Sequence, residues 1–466
     1  MLQPESNAMT GLTRQAAEFL AGLHPDAVPD ICLDTAALGT TDCVAVMIAG
    51  SEEDASRLVR ELISPASGPD TAPLIPSGVM LASADAALVN GVAAHALDYD
   101  DVGIDGHPST VLAPAILAEG HALGISGARA LAAYVAGYEL WALLDSLEPG
   151  KLHDRGFHPT AVQGTVATAA ACAVLHGLDA DRAANTIAIG ASLGAGLVAN
   201  FGTMTKPLHA GRAAQSGILA ARLAARGFTA SPDVLEHRTG YLRAHSPSGT
   251  PDLDARDHGL GRTWRMAQLG LNIKRYPLCY STHRAIDAML DLVEAHDLTP
   301  DEVREIRVGA GGPELLMLRN HAPRTGLEAK FSMEFAMASA LVARRVGLAE
   351  LSDGFVRRPD VIAAMRKVAC TAIHDGIAGM PDSPPDTVEV ELVTGEVLRH
   401  EPVQFAQGSW QNPLSRDGLR AKFLDCVTGH LADGRAERLF EQLVGLRRID
   451  NLRDLDFATA NLPHRH

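Results

Sequence analysis

Thr387-Val388-Glu389-Val390-Glu391-Leu392-Val393-Thr394-Gly395-Glu396-Val397-Leu398-Arg399 decides the fold class of this chain. Val and Glu alternate over Thr387–Leu392, the period of a strand that buries one face. Thr394-Gly395 supplies a turn, and residues 396–399 read as the returning strand of a hairpin. Val303, Ile306 and Val308 mark a second strand-like run, with helical patterns at about 282–295 and 331–346 between the strands. The texture elsewhere is different. From about residue 12 to 226 the pattern is helical, with Ala-rich runs such as 164–175 and 210–225 punctuated by Gly and by Asp or Ser caps. Asp179 is placed to cap one such helix. Beyond Asn412-Pro413-Leu414-Ser415 the chain returns to helix with Leu419, Phe423 and Cys426. The expectation is a mainly α protein. A large all-helical domain is built from residues 1–270 and 406–466, and a smaller α+β domain spans 271–405.

Bulk properties narrow the function. The 466 residues suffice for two or three domains. Aromatics make up only 4% while glycines number 43, which favours closely packed helices over a ring-rich core. The formal net charge of -16 argues against a nucleic-acid or anionic-membrane partner but leaves room for a small anionic substrate in a locally basic pocket. The six cysteines, at 32, 43, 172, 279, 370 and 426, have neither metal-knuckle nor redox-pair spacing. Reduced thiols and a cytoplasmic setting are expected. Met1–Ser6 has no basic region leading into an apolar core, so no signal peptide is expected. Nor is a membrane span, because no run of about 18 apolar residues is free of polar interruption.

Chemistry concentrates in four polar constellations set among apolar helices. The first packs Asp98, Asp100, Asp101, Asp105 and His107 between an Ala-rich segment and the helix start Pro108-Ser109. Carboxylates and imidazoles so placed are costly to bury without partners and suited to proton transfer near neutral pH. The free N–H groups of the helix start would favour a bound anion. The second, Arg155-Gly156-Phe157-His158-Pro159-Thr160, again sets a histidine before a helix. The third places Lys206, His209 and Arg212 at a Pro-marked helix start, a carboxylate-binding arrangement in which a desolvated lysine can act as acid or base. The fourth runs from Lys274 through Tyr276 and Cys279 to His283, where Lys274 and His283 could close one wall of an interdomain cleft. Each also has a bland reading as a capped or solvated helix end. No P-loop, dinucleotide fingerprint, nucleophile elbow or paired-histidine zinc motif is present. A Mg²⁺ site on Asp98, Asp100 and Asp101 and a non-catalytic ligand-binding protein are the other classes weighed.

Taken in order, His95-Ala96-Leu97-Asp98-Tyr99-Asp100-Asp101 with His107-Pro108-Ser109, Gly156-Phe157-His158-Pro159-Thr160, Thr205-Lys206-Pro207-Leu208-His209-Ala210-Gly211, Lys274-Arg275-Tyr276-Pro277 through His283, Ala329-Lys330-Phe331-Ser332 and Asn412-Pro413-Leu414-Ser415 resemble the MmgE/PrpD family. The resemblance implies an all-helical domain with an α+β lid, a homodimer, a site in the cleft between domains, and action on small di- or tricarboxylates without cofactor or metal. The family includes 2-methylcitrate dehydratases, cis-aconitate decarboxylases and iminodisuccinate epimerase. This chain departs at Val102, where the dehydratases and decarboxylases usually carry Thr, and near Met317, where the decarboxylases carry a tyrosine. The leading expectation is therefore a cofactor-independent epimerase or racemase of a small dicarboxylate. A dehydratase or decarboxylase is the alternative. His107 and Lys206 are the expected proton-transfer residues, and Asp98 orients a histidine tautomer. His158, Lys274 and His283, with His209 and Tyr276 beside them, hold carboxylates.

Overall fold

The computed structural model describes residues 11–254, 256–373 and 384–457; the expectation attached to Met1–Ser6 lies outside them. The chain divides into two compact units, Met1–Leu271 with Cys426–His466, and Asn272–Asp425. The expected return to the helical unit near 406 is therefore displaced, since residues 406–425 stay with the strand-bearing unit. The reason is local. Gln407 N donates to Asp287 at 2.7 Å, Ile273 N to the Gly408 carbonyl at 2.7 Å, and Arg345 reaches Asp425 at 3.3 Å.

The first unit is a stack of Ala-rich helices, among them Asp30–Ala49, Ser83–Ala96, Pro108–Leu123, Gly127–Ser146, Pro159–His176 and Thr205–Ala225. Several have no polar face. In Pro159–His176 every residue from Pro159 to Leu175 is buried, as in a helix surrounded by others. Asp30–Glu52 is long and apolar enough to cross a bilayer by those measures, and 83% of its most apolar window is buried inside the protein. Asp179 caps its helix as expected, accepting from Arg182 N at 2.9 Å. The unit is not wholly helical, because Thr71–Pro73 (β1) and Met80–Ala82 (β2) form an antiparallel ribbon. Strands of three residues carry no legible alternation.

Small residues set how closely these helices approach. A Cβ on Gly91 would lie 2.8 Å from the Gly211 Cα, and one on Gly211 would strike the Leu88 carbonyl. The helices Ser83–Ala96 and Thr205–Ala225 thus meet backbone to backbone. A buried carboxylate adds a polar brace: Glu119 accepts from Arg222 at 2.7 and 2.9 Å and from Ser83 at 2.5 Å, with His176 at 2.8 Å. Burial works to raise its pKa, but these partners outweigh it and hold it below the usual range.

In the second unit Val303–Gly311 (β3) is central. Val368–Ile373 (β4) pairs with it in parallel, and Thr387–Leu392 (β5) pairs antiparallel on the other side, followed by Val397–Arg399 (β6). Val388 and Val390 point into a core shared with the helices His283–His296 and Met333–Ala343. Glu389 and Glu391 lie on the other face, paired with Arg307, Arg399 and Arg304. That division explains the period-two pattern. Gly395 adopts φ +90° in the β5–β6 turn, a conformation that suits glycine. β4 was not anticipated, because it mixes Thr and Cys with half-exposed Val and Ala at a sheet edge.

The contact between Gly91 and Gly211 makes a direct prediction. Gly211→Ala should lower unfolding stability by about 1–3 kcal/mol through overpacking and should reduce whatever activity the wild type shows. Chemical denaturation measures the first effect; an unchanged midpoint would show that the helices can part without cost.

Candidate active site

The Ser83–Ala96 helix delivers His95 at its end, and the chain then turns through Asp98 in the left-handed region, φ 53°. Ile104 and Asp105 share that region at φ 49° and 56°, inside a tight turn closed by reciprocal Gly103–Gly106 hydrogen bonds of 2.9 Å. Non-glycine residues there cost roughly 1 kcal/mol each, a strain that persists where the surroundings over-determine the loop. Pro108 opens the next helix, and Asp101 Oδ1 accepts from Ser109 N at 3.2 Å. At this helix start the Ser109 N–H, one of the groups expected to favour an anion, binds a carboxyl oxygen of the chain itself.

Asp100, fully buried, stands between two imidazoles. Its Oδ1 is 3.0 Å from His95 Nδ1. Its Oδ2 is 2.6 Å from His107 Nδ1, a charge contact, while that same Nδ1 donates an aligned hydrogen bond to the Asp101 carbonyl at 2.9 Å. Burial opposes ionisation of Asp100, but His95 and His107 hold its pKa well below the usual range. Burial, then Asp100 and Asp42, push Asp101 well above it. The two adjacent carboxyls are therefore driven in opposite directions. Burial lowers His95 to about 4, so its imidazole is neutral, and its Nε2 has no hydrogen-bond partner among the described residues.

The expected orienting role of Asp98 is corrected. Lys206 Nζ donates to Asp98 Oδ1 at 2.7 Å, and that oxygen is 4.0 Å from His107 Nε2. It is Asp100, together with the Asp101 carbonyl, that faces His107 Nδ1. Lys206, Asp98 and His107 keep side-chain exposures of 17%, 29% and 14%, so these three can meet a ligand, whereas His95 and Asp100 at 0% cannot. His158 and His209 face each other at 3.1 Å between Nδ1 atoms, one donating and one accepting. Burial lowers the pKa of both, and the surrounding His95, His107 and Lys206 lower His158 further. Phe201 packs edge-on against His158 at 4.8 Å, with Lys206 Nζ 5.4 Å above its ring.

The first unit thus gathers Asp98, His107, His158, Lys206 and His209. Lys274, Tyr276 and His283 belong to the second unit, all buried. Tyr276 donates its hydroxyl to Asp287 at 2.7 Å, and its ring meets His283 edge-on at 5.2 Å. His283 Nε2 donates to the Leu278 carbonyl at 3.3 Å; burial and then Lys274 lower it to about 3. Sequence reasoning gave no role to His95 or Phe201, and weighed Asp100 only within the acidic cluster and as a Mg²⁺ ligand. His95 and Asp100 lay inside the quoted motif, but only their meeting across a helix end reveals the shared contact. For metal chemistry, His95, Asp98, Asp100 and His107 each offer a ligand atom within 4.8 Å of the others, with Asp101 outside the set. The Lys206 ammonium is the cation standing on Asp98 in this arrangement.

The depressed His95 pKa predicts a pH dependence of stability. Between about 6.5 and 4 the unfolded chain binds a proton there that the folded chain does not. This contribution is fully present above 6.5 and is lost as pH falls, at up to roughly 1.4 kcal/mol per pH unit. Unfolding midpoints from pH 7 to 4.5 should fall less steeply for His95→Gln than for the wild type. Parallel curves would contradict a buried neutral imidazole.

Comparison with known proteins identifies the family. Residues 14–254 match the MmgE/PrpD N-terminal domain and residues 276–446 the MmgE/PrpD C-terminal domain. The chain is similar to the cis-aconitate decarboxylase of Mus musculus, 28% identical over 397 residues covering 81% of this chain and 78% of that protein. The Homo sapiens enzyme of that name is 29% identical over 390 residues, covering 80% and 77%. One from Aspergillus terreus is 23% identical over 475 residues, covering 97% and 96%. With both domains matched over most of its length, the chain belongs to the MmgE/PrpD family of enzymes.

Proposed function

We propose that this enzyme is a cofactor-independent lyase of a small di- or tricarboxylate, of the cis-aconitate decarboxylase type. The expectation that put epimerisation first gives way, because the relatives named above are decarboxylases. The observation that carries the reading is the exposed group of three: His107 Nε2, with Nδ1 already committed, 4.0 Å from an Asp98 oxygen that holds the Lys206 ammonium.

The shared chemical step is a carbanion α to a carboxylate. In decarboxylation of cis-aconitate, the bond to one carboxylate breaks and CO₂ leaves. The electron pair moves through the double bond to the carbon beside a retained carboxylate, where a proton is added. Lys206 binds that carboxylate as its negative charge grows, and His107 delivers the proton from Nε2. Dehydration uses the same atoms in a different order: His107 removes the α proton and an acid protonates the departing hydroxyl. A second reading, epimerisation, is favoured by Val102, which follows Asp101 in the catalytic loop without a hydroxyl. There the proton is removed and returned on the opposite face.

The test is turnover of a panel of di- and tricarboxylates, followed by proton NMR and CO₂ release. The expected result is a new vinyl product with CO₂. Exchange of an α proton without net product would instead establish an epimerase. On the substrate so found, His107→Gln and Lys206→Met should each lower kcat/KM by roughly two to four orders of magnitude. Lys206→Met should raise KM more, because it also removes charge from carboxylate binding. Near-normal turnover by both variants would overturn the assignment.

A further inference from the structure

Two oxygens face one nitrogen of His107, one as hydrogen-bond acceptor and one as a charge contact. The Asp101 carbonyl lies 2.9 Å from Nδ1, and Asp100 Oδ2 lies 2.6 Å from it. A carbonyl has no proton to give, so Nδ1 must carry the hydrogen that the Asp101 carbonyl accepts. The neutral ring then presents an unprotonated Nε2 on its other side, toward Asp98 and Lys206. Asp100 is itself anchored from behind, because Oδ1 accepts from His95 Nδ1 at 3.0 Å. The rings of His95 and His107 lie 4.5 Å apart. The charged and titratable groups facing His107 are Asp98, Asp100, His95, Lys206 and His158.

We propose that Asp100 is a positioning residue for this reaction: its charge, 2.6 Å from Nδ1, reinforces the Nδ1–H tautomer that the Asp101 carbonyl accepts from, so that Nε2 is the atom exchanging a proton with substrate carbon, and it balances the charge while His107 is protonated. His95 acts one step further back. It fixes Asp100 against the Ser83–Ala96 helix, so the core sets the direction of a ring at the surface of the site. The proton balance is closed. A proton moving from carbon goes to Nε2, and its electron pair stays on the carbon and spreads into the carboxylate bound by Lys206. The Nδ1 proton and the Asp100 charge do not move. Delivery to carbon is the reverse transfer from Nε2–H. Carboxylate–imidazole pairs of this kind act through tautomer and orientation rather than by taking up the proton.

This rests on His107 as the proton-transfer group, and the test separates the two ideas. Nitrogen-15 NMR of histidine-labelled protein, with His107→Gln assigning the signal, reads the tautomer directly. The expected wild-type spectrum above pH 7.5 shows His107 protonated at Nδ1. An Nε2–H ring would overturn the proposal whether or not any variant folds. Asp100→Asn removes the charge beside Nδ1 while the Asp101 carbonyl keeps its hydrogen bond, so the Nδ1–H tautomer should remain. The substitution should also lower kcat by roughly 10²–10⁴-fold with KM changed only a few-fold, and, with His107 delivering the proton, shift the alkaline limb of the pH–rate profile to lower pH. Unchanged kcat and pH profile in Asp100→Asn would also overturn the proposal. If His107→Gln stays active while the Nδ1–H tautomer is observed, the functional reading fails and the positioning by Asp100 stands.

Discussion

The bare approach of Gly91 to Gly211 is the constraint from which the site follows. A side chain on either would part the helices Ser83–Ala96 and Thr205–Ala225. Each helix carries functional groups within about two turns of that contact: His95 and then Asp98 on one side, Lys206 and His209 on the other. The 2.7 Å ion pair between Asp98 and Lys206 spans the same junction. An Ala- and Gly-rich composition therefore has a functional consequence. It lets two chain segments more than a hundred residues apart bring a carboxylate and an ammonium into contact, at a distance set by backbone rather than by mobile side chains.

Around that junction the protein separates like groups by environment. Asp100 and Asp101 are neighbours in sequence and both fully buried, yet one is held ionised between two histidines and the other is pushed toward its neutral form. His95 and His158 are kept uncharged by burial, while His107 retains 14% side-chain exposure and a free-facing Nε2. Pairs of titratable groups driven apart in this way are the usual mark of acid–base assignment. The strained turn through Asp98, Ile104 and Asp105 belongs to the same design, since it carries the chain from one helix end to the next while Asp98 meets Lys206, Asp100 meets His95 and Asp101 meets the Ser109 N–H.

The helical texture, the Val–Glu alternation of β5 and the β5–β6 turn were readable because each repeats a local rule. β1, β2 and β4 were not, being too short or too mixed at a sheet edge to show a period. Among functional residues, His107, Lys206 and Asp98 stood out as polar groups at helix ends in apolar surroundings. Their roles did not. Sequence spacing suggested Asp98 as the partner of a histidine, whereas the left-handed turn at Asp98 directs its carboxylate to Lys206 and leaves Asp100 to serve His107. His95 was invisible as a functional residue because an Ala-rich helix with one histidine has no periodic signature. The same family resemblance that located the site left the reaction open, since decarboxylation, dehydration and epimerisation share one intermediate and differ in what departs from it.

The step common to all three is proton transfer at a carbon α to a carboxylate, and solvent isotope reports it. Turnover of cis-aconitate by the full chain in D₂O, followed by proton NMR, should give a product carrying one solvent deuterium at the carbon beside the retained carboxylate. Product formed without deuterium at that carbon would contradict proton transfer by His107. So would a panel of di- and tricarboxylates in which none exchanges or reacts.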